Sequence, residues 1–191
     1  MGKHVEYRPE WVREDFIDFL AEKVNPLWAW KKAKARIVAK HHLSDDFVYI
    51  QLQPNHHFKA TDYQAGQSIL VTVLIAGVRW QRSYSIVEIL ENGNLVIAVK
   101  QQGKVSNALT QQPVKSVVEI SQTQGEFVLK TQPHSALMIA SGSGITAIYA
   151  LIKAALKRPQ TVSNIDLIYF TRDDSFHAEL QQLTEHYPQF K

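Results

Sequence analysis

Val78-Arg79-Trp80-Gln81-Arg82-Ser83-Tyr84-Ser85-Ile86 is the stretch on which the reading of this chain turns. It reads as a strand, and its tetrapeptide Arg82-Ser83-Tyr84-Ser85 combines a guanidinium, an aromatic ring and two hydroxyls. Successive side chains of a strand point to opposite faces, so Arg82 and Tyr84 share one face while Ser83 and Ser85 share the other. Such a strand can clamp a phosphate and lay a ring against a flat heterocycle, while its backbone and Ser85 reach the heterocycle's edge. A flavin dinucleotide is a ligand that needs all three. An ordinary edge strand carries the same pattern, so the neighbouring sequence has to decide.

Outward from this stretch, residues 47–52, 69–75 and 95–99 alternate apolar and polar in the manner of half-buried strands. Ala76-Gly77 and Asn92-Gly93 supply turns, the second a strong hairpin signal. Strands of this length and spacing across residues 35–132 predict a six-stranded antiparallel β-barrel with the Arg82 tetrapeptide in its middle. Lys100-Gln101-Gln102-Gly103-Lys104-Val105-Ser106 then leads from a strand into a short predicted helix at residues 107–110. Gly103 permits close backbone approach, amides at a helix start attract anions, and Ser106 adds a hydroxyl. A plain strand-to-helix turn would read the same way. Beside Arg82, however, it makes a second phosphate-binding element in one small barrel, which suits a pyrophosphate.

The pattern changes at Pro133. A short apolar run at residues 136–140 is followed by Ser141-Gly142-Ser143-Gly144-Ile145-Thr146 and an apolar-periodic helix from 145 to about 157. A second apolar strand at residues 165–170, a polar turn and a helix from 175 to about 187 complete a strand-helix-strand-helix order. That order belongs to parallel nucleotide-binding sheets, and a glycine-bearing turn at a helix start can cradle a diphosphate. The turn lacks the Lys-Ser/Thr ending of a P-loop and the glycine flanks of a nucleophile elbow. Arg172, just past the second strand, is the residue type that accommodates a ribose 2′-phosphate, which favours NADPH over NADH. Asp173 and Asp174 follow immediately and keep NAD open, as does reading the segment as a solvated turn. Residues 133–191 are thus expected to form a partial NAD(P)-binding α/β domain, since two strands are few for a parallel sheet. The full expectation is β + α/β: a helical arm over residues 1–34, the barrel, then the incomplete α/β domain. A partner chain could complete it, and exposed apolar edges would favour self-association.

The arm is predicted helical over residues 9–24 from Trp11, Val12, Phe16, Phe19, Leu20 and Val24. With Trp28, Trp30 and the basic run Lys31 to Arg36 it would pack on the barrel, membrane-surface contact being the minority reading. Lys and Arg exceed Asp and Glu only by 21 to 18, too mild a bias to imply nucleic acid. The chain has no cysteine, hence no disulfide and none of the thiolates that hold common iron–sulfur clusters. No apolar run has spanning length and no signal-type core follows the charged start, so a cytoplasmic protein is expected. His41-His42 and His56-His57 lack a third ligand at helical spacing, and no metal site is expected.

The ordered set Arg82-Ser83-Tyr84-Ser85, Gly103-x-Val105-Ser106, Gly125-Glu126-Phe127, Gly142-Ser143-Gly144-Ile145-Thr146 and Tyr169-x-x-Arg172 resembles the ferredoxin-NADP reductase superfamily. Asn25-Pro26-Leu27-Trp28 and Gly66-Gln67 look most like bacterial reductases that carry a C-terminal plant-type ferredoxin domain and serve desaturases or oxygenases. The resemblance implies an FAD-binding barrel followed by an NAD(P)-binding domain. Hydride would pass from NAD(P)H to FAD, then single electrons to an iron–sulfur or haem partner. It implies that Arg82 pairs with the FAD phosphates, Tyr84 contacts the isoalloxazine or ribityl chain, and Ser85 hydrogen-bonds near flavin N5 as the catalytic residue. Ser83, Lys100, Gly103, Val105 and Ser106 join the flavin side. Gly142, Ser143, Gly144, Ile145 and Thr146 would take the nicotinamide nucleotide's diphosphate, and Arg172 its 2′-phosphate. Ala147 stands where the family usually has Pro, and the family's final strands with their Cys-Gly-Pro segment are absent. A non-catalytic flavin-binding or interaction module completed by a partner is the alternative expectation.

Overall fold

The computed structural model describes residues 20, 23–28, 31–129, 134–157 and 163–191. The predicted helix at residues 9–24 lies largely outside them, as does the domain boundary expected between residues 132 and 133. Six strands close into an antiparallel barrel: β1 (Lys34–His42), β2 (Phe47–Pro54), β3 (Ser68–Ile75), β4 (Val78–Ile89), β5 (Leu95–Lys100) and β6 (Val117–Ile120). Their order around the barrel is β1-β2-β5-β4-β3-β6. Alternation in the sequence becomes inside and outside. Ile37, Ile50, Leu52, Ile69, Val71, Ile86, Leu95 and Ile97 are fully buried within the barrel. Helix α1 (Lys104–Gln111) follows β5 and contributes buried Val105 and Leu109 to the same core. Its last carbonyls are capped from across the barrel, since Lys40 Nζ donates to Thr110 O at 2.8 Å and to Gln112 O at 2.7 Å.

The second unit begins with β7 (Ser135–Ser141), which pairs in parallel with β8 (Asn164–Phe170). Between them runs α2 (Ile145–Leu156), and α3 (His177–His186) follows β8. The chain then returns to the sheet. Phe190 forms a parallel bridge with Ile165 on β8, and Leu167 N donates to Lys191 O at 2.9 Å. This third, strand-like segment, a single bridge with its flanking hydrogen bonds, carries no alternation to read. One face of the sheet packs Met138 and Ala140 against α2, whereas Leu137, Ile139, Ile168 and Phe170 on the other face are exposed.

The two units share a core. Phe47, Tyr49, Val87 and Ala98 project outward from the barrel and meet Tyr149 and Ile152 of α2 and Phe176 from the β8–α3 turn. Phe176 is fully buried at a left-handed φ of +65°. Its ring meets those of Phe47, Tyr49 and Tyr149 edge-on, at centroid distances of 5.6, 5.8 and 5.3 Å. Polar ties flank this joint. Glu88 on β4 pairs with Lys153, and with Lys157 at 3.4 Å, both from the α2 segment. Burial pushes the Glu88 pKa up, but the hydrogen bonds and charges of the two lysines outweigh it and hold the group below the usual carboxylate value.

Gly66 locks the barrel loop that faces α2. Its φ is +95°, and a Cβ there would sit 2.0 Å from the Phe127 carbonyl oxygen, so neither the backbone nor the space admits a side chain. Gly66-Gln67 and Gly125-Glu126-Phe127, far apart in sequence, are therefore one packed corner.

Candidate functional site

The site arises where two adjacent strands part. β4 pairs with β5 only from Ile86 to Ile89, against Leu95 to Ile97, with a register shift between Ile86 and Glu88. Upstream, residues 78–85 have β3 alone as a neighbour, while β5 runs on beside β2. The strand predicted to end at Ile86 continues to Ile89, so the Arg82 tetrapeptide sits mid-strand, just before β4 and β5 join. Ile86 N donates to Gln67 O across the β3 side. Backbone direction alternates along a strand, so the amides and carbonyls of Ser83 and Ser85 turn to the open edge. The gap is a cleft of about 510 Å³, within the range of small-ligand sites.

Arg82, Ser83, Tyr84 and Ser85 line one wall of the cleft; Lys100 and Gly103 to Ser106 line the floor; Ser143, Gly144 and Thr146 close it from the α/β unit. Three motifs 20 to 60 positions apart in sequence thus face one space. The Arg82 guanidinium is exposed, donates to Gln81 O at 2.9 Å and pairs with no carboxylate among the described residues, so it is available to an anion. Burial pushes the Tyr84 phenol up to about 12 although Arg82 pulls it down, which keeps it neutral and able to donate near pH 7. Ser83 Oγ donates to Ser68 Oγ at 2.9 Å, a bond to the neighbouring strand.

At the two helix starts the hydroxyls bond within their own turns. Ser106 Oγ accepts from the amides of Gln102 and Gly103, at 3.2 and 3.0 Å, and donates to Gly103 O. It fixes the turn, and the first-turn amides of α1 are left without intrahelical partners. Helix α1 begins at Lys104, three residues before the predicted start, because this serine caps it. Thr146 Oγ1 likewise donates to Ser143 O at 2.9 Å, holding the single 3-10 turn Gly142–Gly144 that runs into α2. Gly103 has a φ of −160°, which any residue adopts, and a Cβ there would meet only Ser106 Oγ at 4.0 Å. Neither strain nor packing requires glycine at 103; a group approaching the backbone would.

Lys100 is shared between the units. Its Nζ lies 3.0 Å from Asp173 Oδ2 in the turn after β8 and 5.3 Å from the Phe47 ring centroid. Asp173 also accepts from the Ser175 hydroxyl and from its amide at 2.9 Å; these bonds, Ser175 first, outweigh partial burial and hold its carboxyl well below the usual range. Arg172 is exposed in the same turn and does not line the cleft; nor do Ile145, which is fully buried, and Gly142, whose carbonyl accepts from the Tyr169 hydroxyl at 3.3 Å. Sequence reading missed Trp80 and Lys104, which complete the cleft wall, with Lys104 Nζ 4.5 Å from the Trp80 ring centroid. The signal for Trp80 was its position two and four residues before Arg82 and Tyr84. His56 and His57 stack on each other with centroids 3.9 Å apart, and among the described residues no three metal-ligating groups gather. Nor is any described helix long and apolar enough to cross a membrane.

An unpaired guanidinium, an open strand edge and two helix starts around one cleft suit a dinucleotide with a flat ring. A family model described as an oxidoreductase FAD-binding domain matches residues 34–129. An NADPH oxidoreductase of Mycobacterium tuberculosis is 30% identical over 179 residues, covering 87% of this chain and 46% of the relative. A flavohemoprotein of a Burkholderia species is 28% identical over 177 residues, covering 89% and 44%. The chain therefore spans about half the length of these relatives. Among solved structures, flavohemoglobin from Malassezia yamatoensis with bound FAD and heme superimposes with a TM-score of 0.75 at 19% identity, covering 91% of this chain and 48% of that one. The cytochrome b5 reductase domain of Ulva prolifera nitrate reductase gives 0.72 at 22% identity, covering 84% and 71%. At these identities the superpositions speak for the fold.

Proposed function

The chain belongs to the oxidoreductase FAD-binding domain family, within the ferredoxin-reductase-like superfamily, and we propose that it carries electrons from NADPH through FAD to an iron–sulfur or haem protein. The observation that carries this reading is the convergence of the Arg82 strand, the start of α1 and the start of α2 on one cleft. Bound there, FAD would supply the chemistry, accepting a hydride equivalent and releasing single electrons; the chain supplies binding, orientation and electrostatics. Arg82 pairs with the phosphates, the neutral Tyr84 ring lies against the isoalloxazine, and the open edge at Ser85 hydrogen-bonds the ring's polar rim. The first-turn amides of α1, with Gly103 leaving room, take the pyrophosphate. The α2 start at Ser143 and Gly144 presents amides to the diphosphate of the nicotinamide nucleotide.

NADPH is preferred over NADH in this reading because Arg172 is exposed while Asp173, the acid next to it, is occupied; the second acid, Asp174, is exposed and is the group that would serve NADH. Asp173 is tied to Lys100 and Ser175, so it is not free to accept from a ribose 2′-hydroxyl, whereas Arg172 is exposed for a 2′-phosphate. A cluster acceptor would lie outside these 191 residues, which hold no cysteine. A ferredoxin-type domain or protein feeding a desaturase or oxygenase is the acceptor we infer from the motif resemblance.

The test is anaerobic absorbance of the purified chain, loaded with FAD and mixed with NADPH or NADH. Bleaching of the visible flavin band, faster with NADPH, supports the reading. Flavin uptake without bleaching would instead support a non-catalytic flavin-binding module, and absence of uptake would overturn the assignment of the cleft.

A further inference from the structure

Resting on the flavin reading of the cleft, we propose that Trp80 is the platform for the adenine of the dinucleotide, which makes this cleft select FAD over FMN. Trp80, Arg82 and Tyr84 pair across β3 with Val73, Val71 and Ile69 and so stand on one face of one uninterrupted strand. Alternate residues of a strand are about 7 Å apart, which puts the indole roughly 13 Å from the Tyr84 ring with the guanidinium midway. All three line the cleft. Ring, cation, ring is the order in which a flavin dinucleotide presents isoalloxazine, diphosphate and adenine, and a mononucleotide would leave the last position empty.

Two further observations mark Trp80 as more than strand packing. Its indole nitrogen is buried without a hydrogen-bond partner, the one such side-chain atom among the described residues. Indole can only donate, and a buried donor of this kind is normally satisfied; the ribose and phosphate oxygens of an AMP moiety are acceptors of the right kind. Lys104 Nζ covers the indole face at 4.5 Å, and Lys104 is also the first residue of α1, where the diphosphate is placed. A cation–π contact is weaker than a charge-assisted bond to phosphate, so an arriving diphosphate draws the ammonium away and opens the face to a purine.

The test measures binding, not turnover. FAD and FMN are titrated by calorimetry into the wild-type chain, Trp80→Ala and Trp80→Phe at one ionic strength, with urea unfolding of each variant as a folding check. Base-on-aromatic stacking losses correspond to about 5- to 150-fold in affinity. The expected result is that Trp80→Ala binds FAD weaker by that factor and FMN within about twofold of wild type, while Trp80→Phe, which retains an aromatic face, keeps most of the preference. Equal loss of FAD and FMN binding in folded Trp80→Ala, or no loss of either, would overturn the platform and leave Trp80 as packing. Where Trp80→Ala does not fold, Trp80→Phe binding FAD no better than FMN has the same force. A wild-type chain that takes up neither flavin would overturn the reading of the cleft itself, a separate result from a cleft that binds both flavins alike.

Discussion

Replacing Arg82 by Ala separates binding from stability in a way few positions here allow. The guanidinium is exposed, donates only to the adjacent Gln81 carbonyl, and leaves no carboxylate unpaired when it is removed. Surface substitutions of this kind shift unfolding free energy by about 0.5 kcal/mol or less. A charge-assisted hydrogen bond to a phosphate contributes about 1.5 to 3 kcal/mol, which corresponds to roughly 10- to 150-fold in affinity. Arg82→Ala should therefore unfold in urea with the wild-type midpoint while its dissociation constant for FAD rises by that factor. Arg82→Lys should fall between, since an ammonium keeps the charge without the planar fork. Calorimetric titration at low and high salt adds a second reading: wild-type affinity falls as salt rises, and the Ala variant is less sensitive because one of its screened contacts is gone. Wild-type FAD affinity in a normally folded Arg82→Ala chain would refute the placement of the phosphates. A loss of affinity matched by a lowered urea midpoint would refute the claim that Arg82 acts on the ligand alone.

Gly66→Ala forces a Cβ to 2.0 Å from the Phe127 carbonyl at a φ of +95°, and a loss of roughly 2 to 5 kcal/mol in urea unfolding is expected. Gly103→Ala should behave oppositely, costing under about 1 kcal/mol of stability as a helix N-cap change while weakening FAD binding about tenfold or more if the pyrophosphate approaches that backbone. Phe176→Ala empties the centre of the aromatic joint, and a cost of about 3 to 5 kcal/mol is expected, with Phe176→Leu costing less than half as much. For pH, Asp173 has a folded pKa depressed below the unfolded carboxylate value of about 3.9. Its contribution is complete above that value and is lost as pH falls towards the folded pKa, because in that range the unfolded carboxylate takes up a proton that the folded one does not. The stability difference between wild type and Asp173→Asn should hold steady from roughly pH 7 to 5 and shrink at about pH 3, as urea unfolding at the three pH values would show; a difference that grew on acidification would contradict the Lys100 and Ser175 bonding.

The barrel was legible because alternation survives wherever one face of a strand is buried: Val48, Ile50 and Leu52 go in, Tyr49 and Gln51 out. The parallel unit was legible from its apolar runs and glycine turn. Strands β1 and β6 were not singled out. Their pattern is blurred, in β1 by a register shift between Ile37 and Ala39 and in β6 by a length of four residues. The site was half legible. Residue types at Arg82 to Ser85, Gly103 to Ser106 and Gly142 to Thr146 announced anion and ring binding, yet each motif alone was short enough to be an ordinary turn or edge.

What the sequence determined by itself was local: which segments extend, which helices start at a glycine, and which side chains could hold a phosphate. Long-range packing settled which of these groups meet. The parting of β4 from β5 opens the cleft and puts Trp80 and Lys104 on its wall; side-chain bonds withdraw the Ser106 and Thr146 hydroxyls into their own turns and Asp173 onto Lys100. Residue type fixes what a group can bond, but a buried group bonds whichever partner the fold brings within about 3 Å, and such partners lie up to 131 positions away in the chain, as Ser44 and Ser175 do.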